Sequence, residues 1–69
     1  MNRIGVRLTY YPAYAHPFDI SSNFGRTREE NLKICWNAMI AVCKKRLVLS
    51  PTKDDYKNGN LRVEFYSES

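Results

Sequence analysis

A single histidine limits the acid–base chemistry open to this chain. His16 precedes Pro17, and Asp19, Ser21 and Ser22 follow closely, so a base, a carboxylate and two hydroxyls share one short segment. A catalytic triad needs each partner held by a rigid scaffold. The segment from Pro12 to Gly25 shows no sustained period and carries Pro12, Pro17, Ser21, Ser22, Asn23 and Gly25, all turn formers. His16 therefore reads as an ordinary loop residue. A thiolate–imidazole pair between Cys35 and His16 would need an exposed thiol, and helical phase puts Cys35 at the edge of a buried face. The adjacent carboxylates Glu29–Glu30 suit the positive end of a helix dipole, and Asp54–Asp55 suit a solvated turn. Metal-ligand, glycine-rich phosphate and calcium-loop spacings are absent. These residues predict no enzyme, no metal and no cofactor.

Basic charge is the next feature with chemical content. The chain has 11 Lys plus Arg against 7 Asp plus Glu, a formal charge of +4. Its isoelectric point near 9.3 is high enough to raise nucleic acid as a partner. Arg3, Arg7, Lys44, Lys45, Arg46 and Arg62 are the candidate phosphate contacts; Lys44-Lys45-Arg46 is equally expected at a helix C-terminus. Aromatic residues point elsewhere. Five Tyr, three Phe and one Trp in 69 residues is a rich supply of the side chains that anchor protein interfaces. Tyr11, Tyr14, Phe18 and Phe24 on the long loop, with Arg7, Arg62 and Tyr66 on strands, form the candidate partner-binding set. A basic chain of this kind is attracted to an acidic surface on a larger protein.

Positioning these groups falls to few elements. Residues 3 to 11 alternate, with Ile4, Val6, Leu8 and Tyr10 on one side and Arg3, Gly5, Arg7, Thr9 and Tyr11 on the other, which predicts a half-buried strand ended by Pro12. In the loop that follows, Tyr14, Phe18, Ile20 and Phe24 either fold back as a lid or stand out as anchors. Thr27 and Glu30 form a T-x-x-E capping box. Leu32, Cys35, Trp36, Met39, Ile40, Cys43 and Leu47 then recur at three- and four-residue steps, predicting a helix over about 28–46 with its apolar face centred near Trp36 and Cys43. Ile34, Ala38 and Ala41 fall on the back of that helix, where small residues suit a homodimer seam.

The last third admits two readings. Leu61, Val63 and Phe65 alternate with Arg62, Glu64 and Tyr66, a strand. Asn58-Gly59 before it signals a tight hairpin, with Asp55 opposite Arg62 and Lys53 opposite Glu64; Leu47–Leu49 is the other candidate partner strand. In the competing reading Ser50 caps and Pro51 opens a short helix ending at Gly59. The hairpin is preferred here. The expected architecture is α+β in two layers, β-α-β-β, with a three-stranded mainly antiparallel sheet and one long helix across one face. Ile4, Val6, Leu8, Leu61, Val63 and Phe65 would meet Leu32, Trp36, Met39 and Cys43 in a thin core.

One domain, 1–69, is expected from the length. Cys35 and Cys43 on one helix would stand about 12 Å apart at 1.5 Å rise per residue, beyond the roughly 7 Å limit for a disulfide. They read as buried thiols of a reducing compartment. No export signal follows Met1–Gly5, and the longest apolar run, Ala38–Cys43, is far short of the roughly 20 residues that span a bilayer. Cytoplasm is the expected location, with no membrane partner. Taken together, the residues predict a small non-enzymatic protein-binding module, a regulator or inhibitor of the kind virus-encoded accessory proteins provide. Nucleic-acid binding through an Arg/Tyr sheet face is the alternative.

Overall fold

A computed structural model describes residues 3–22 and 27–68. Three strands and two helices follow in the order β1 (Arg3–Tyr10), β2 (Phe18–Ser22), α1 (Arg28–Arg46), α2 (Lys53–Asn58) and β3 (Leu61–Glu68). The strands form one antiparallel sheet in the order β2-β1-β3. The class, the three-stranded antiparallel sheet and the single long helix on one face are those expected. The order along the chain is not: it is β-β-α-α-β, because the third strand comes from the loop before α1 and not from residues 51–57.

Register explains that strand. Pairing runs from Tyr10↔Phe18 to Val6↔Ser22, so Phe18 and Ile20 come beside Tyr10 and Leu8 on the covered face. Two large apolar side chains at alternate positions gain burial there, and period-two burial is the force that pins a strand's register. The Tyr10 and Phe18 rings meet edge to face, with centroids 6.0 Å apart.

The hairpin reading of residues 50–59 is overturned. Pro51 precedes Thr52, whose amide and hydroxyl donate to the Asp55 carboxylate at 2.8 and 3.3 Å, so the first turn of a helix is capped by Thr52 rather than by Ser50. Gly59, at φ 84°, ends it: the Asn60 N–H donates to the Asp55 carbonyl at 2.8 Å and Gly59 N–H to Tyr56 at 3.3 Å. Asn-Gly supplies positive φ to a hairpin turn and to a helix stop alike, and the Thr-x-x-Asp cap decides between them. α1 ends the same way at Leu47, φ 59°, with Val48 N–H on the Cys43 carbonyl at 3.0 Å. At the other end of α1, the Thr27 hydroxyl accepts from the Glu30 N–H at 3.2 Å, as expected.

The core is Val6, Leu8 and Tyr10 from β1, Cys35, Met39 and Cys43 from α1, and Leu61 from β3. Ile4 and Phe65, expected inside, are 36% and 44% exposed at the far end of the sheet. Leu47, expected on the helix face, is 92% exposed, since it stands past the last helical turn. Asn31, Cys35, Met39 and Cys43 form the buried line of α1, so its inward face is centred between Cys35 and Met39. That lies roughly 70° round the axis from the expected centre, at 3.6 residues per turn. Asn31 belongs to this line: it is fully buried, its side-chain amide donating to the Ile4 carbonyl at 2.7 Å and its Oδ1 accepting from Ser22 Oγ at 3.3 Å. No helix among the described residues is long and apolar enough to cross a membrane.

Candidate functional site

Rotation of α1 turns Leu32 and Trp36 away from the centre of the core and toward β3. α1 packs over β1 and β2, whereas the short α2 touches β3. A groove opens between the two helices above the inner face of β3, with a volume of about 570 Å³. Leu8, Leu61 and Val63 make its floor, Leu32 and Trp36 one wall, and Tyr56 with Thr52 the other. Lys33 on α1 and Lys53 and Lys57 on α2 stand on its rim with a single acid, Glu29. The four-residue spacing of Lys53 and Lys57 puts both on one side of α2, next to Tyr56. Beyond Val63 the same strand face continues to Phe65, with the Arg28 guanidinium 4.7 Å from its ring centroid. The groove is apolar below, cationic above and open to solvent.

The residues singled out from the sequence do not share one surface. Arg7, Arg62 and Tyr66 lie on the face of the sheet away from the helices, as expected. Tyr66 crosses Gly5, where a Cβ would overlap its ring, and lies 5.9 Å from the Arg7 guanidinium. Arg7 is also 3.9 Å from the Asp19 carboxylate and pairs in register with Glu64. Two guanidinium groups and two carboxylates thus alternate on this face, a neutral cross-strand pattern. Tyr11 is exposed just past β1, its N–H on the Asn60 carbonyl at 2.7 Å. Tyr14 is fully exposed at φ 63°. Phe18 is a correction: β2 pairing takes it to the helix side, under the Arg46 guanidinium at 4.7 Å. Phe24 and the side chain of Arg3 lie outside the described residues.

Lys44, Lys45 and Arg46 are exposed on the last turn of α1, in the layer opposite Arg7 and Arg62. The expected basic set is therefore divided between two sides of the molecule. Of the back-face trio, Ala41 is exposed, and Ile34 and Ala38 are half-buried.

Of the groups with catalytic potential, His16 and Ser21 are exposed and others are engaged with neighbours. The Ser22 hydroxyl is buried on Asn31, and Asp19 faces Arg7 across the open face. Cys35 and Cys43 are free and buried, the Cys35 thiol 3.5 Å from the Val6 carbonyl. Burial pushes both thiols above their ordinary range, against the pull of Arg46 on Cys43. Tyr10 is raised by burial and then by Asp55, and its hydroxyl donates to the Leu49 carbonyl at 2.8 Å. No group of His, Cys, Asp and Glu among the described residues has the geometry to hold a metal ion.

Sequence reasoning missed the groove because residues 51–60 were read as a hairpin arm, which would have left Tyr56 and the two lysines on a strand. The signal present was the Lys53–Tyr56–Lys57 spacing within the alternative helix. No family model, curated protein or solved structure matches this chain.

Proposed function

We propose that this chain is a small non-enzymatic protein-binding module, a regulator or inhibitor that acts by occupying a surface of a larger protein. The observation that carries this reading is the groove walled by Trp36 and Tyr56. A domain of this size needs its apolar groups for its own core, yet here a tryptophan, a tyrosine and a valine stay partly open around one channel. Aromatic anchors in an open apolar channel with a charged rim are the usual makings of an interface centre. Buried free thiols fit a reducing compartment, which supports a cytoplasmic location.

Nucleic-acid binding is the second reading; among the described side chains of its basic set it rests on Lys44, Lys45 and Arg46, because Arg7 and Arg62 share their face with Asp19 and Glu64. Affinity purification from the native cytoplasm tests the first. We expect a protein partner recovered with the wild-type chain, retained by Arg7→Ala, and lost with Tyr56→Ala, whose exposed side chain can be removed without opening the core. No partner, or equal recovery with Tyr56→Ala, would count against the groove. Steeply salt-dependent oligonucleotide binding lost with Lys44→Ala/Lys45→Ala would favour the second reading.

A further inference from the structure

We infer that the groove takes an acidic amphipathic α-helix of the partner; this rests on the protein-binding reading above. Three features of the groove choose the occupant.

The first is charge. Lys33, Lys53 and Lys57 face one acid, Glu29, around the rim, and Arg28 stands over Phe65 where the apolar strip continues. A ligand whose edges carry carboxylates is drawn in and oriented by these ammonium groups. A second copy of this chain brings the same lysines against themselves, which disfavours self-docking.

The second is the shortage of backbone partners. The floor consists of side chains of β1 and β3; β3 is an edge strand, and its one free row of N–H and C=O groups lies in the plane of the sheet, at the outer edge and not on the floor. A segment lying on this floor therefore meets side chains and not that row. An extended peptide would leave its own backbone groups unpaired at substantial cost, whereas a helix arrives with its backbone already bonded.

The third is one-sidedness. The groove is apolar along its floor and open above, so its occupant needs one apolar stripe and one wet face. Side chains at i, i+3, i+4 and i+7 of a helix supply that stripe. Acidic residues on its flanks then meet Lys33 on one wall and Lys53 and Lys57 on the other.

Trp36 is the chain's only tryptophan, so its fluorescence reports on the groove directly. The probes are two synthetic Trp-free helical peptides with the same apolar stripe, one flanked by Glu and the other by Lys, and a third with the Glu composition but the stripe scrambled. Titration into the intact chain is followed by Trp36 emission and by backbone amide shifts.

The Glu-flanked peptide is expected to bind, to shift the amides of Leu32, Trp36, Tyr56 and Val63, and to weaken at least tenfold as salt rises from low to physiological. The variant K53E/K57E, altered only at exposed positions, is expected to reverse the order and prefer the Lys-flanked peptide. Equal binding of Glu- and Lys-flanked peptides in the groove would overturn the acidic partner while leaving protein binding there intact. Binding of the scrambled peptide as tightly as the striped one, shifts confined to the outer edge of β3, or no binding by any peptide would overturn the helical occupant. The purification experiment with Tyr56→Ala judges the underlying reading separately.

Discussion

Asn31 offers the sharpest test of how this fold is held. It sits in the first turns of α1 with no exposed surface. Its side-chain amide donates to the Ile4 carbonyl at 2.7 Å, and Ser22 Oγ donates to its Oδ1 at 3.3 Å. Among the described residues the β1–β2 ladder runs from Tyr10↔Phe18 to Val6↔Ser22. Ile4 lies two residues further along β1, and the Asn31 amide donates to its carbonyl. Truncation in Asn31→Ala removes that donor from a partly buried bond, at about 1–3 kcal/mol for the polar group it leaves. The longer bond to Ser22 adds about 0.5–1 kcal/mol, because that hydroxyl can turn to another acceptor. A total of about 1.5–4 kcal/mol is a large share of the 5–15 kcal/mol available to ordinary domains. For a chain of this length it corresponds to a fall in Tm on the order of 10–25 °C. Urea and thermal unfolding followed by circular dichroism measure it. Asn31→Leu is the discriminating variant: it restores apolar volume but offers no donor, so it should remain at least about 1 kcal/mol below wild type. Wild-type stability or better in Asn31→Leu would refute the argument and show the position to be a packing site.

Two further outcomes follow from local geometry. Tyr10, Cys35 and Cys43 are raised in the folded chain above their ordinary values of 10.0 for tyrosine and 9.0 for the thiols. The folded state thus keeps protons that the unfolded state gives up: stability is full below pH 9, falls as pH rises through 9 and 10, and goes on falling until the folded groups ionise. Urea midpoints that stay level or increase between pH 9 and 11 would contradict this, and Tyr10→Phe should flatten the upper part of the decline. At the helix ends, Leu47 is 92% exposed at φ 59°. Leu47→Gly should therefore gain about 0.5–1 kcal/mol, net of the extra freedom of glycine in the unfolded chain. Gly59 at φ 84° has open space where a Cβ would stand, so Gly59→Ala should lose about 1 kcal/mol through backbone strain alone. Denaturation curves of the two variants moving in the same direction would remove the explanation.

Much of the fold was legible because strong local signals agreed. β1 was readable from nine alternating residues and Pro12, and α1 from the Thr27–Glu30 cap, the apolar period and the terminal Lys44-Lys45-Arg46. β3 was readable from Leu61, Val63 and Phe65. β2 was not, since its five residues carry Asp19 and two serines and gain strand character only by lying against Tyr10 and Leu8. Asn58-Gly59 misled for a different reason: one backbone requirement serves two turns, and the choice was made upstream at Thr52 and Asp55. The candidate site was the least legible part. Arg7, Arg62 and Tyr66 were placed together correctly, but Phe18 went to the other layer and the groove depended on α2.

Periodicity, capping and charge at the helix ends are properties of neighbours along the chain, and by themselves they determined an α+β domain with one long helix on an antiparallel sheet. The angle at which that helix is rolled, the strand that completes the sheet and the channel between α1 and α2 were decided only in three dimensions. Asn31 shows why. No pattern of apolar residues marks a polar side chain for the core, and Asn31 is buried there on the Ile4 carbonyl and the Ser22 hydroxyl, groups far from it along the chain. The same roll of the helix leaves Trp36 half-buried on the wall of the groove.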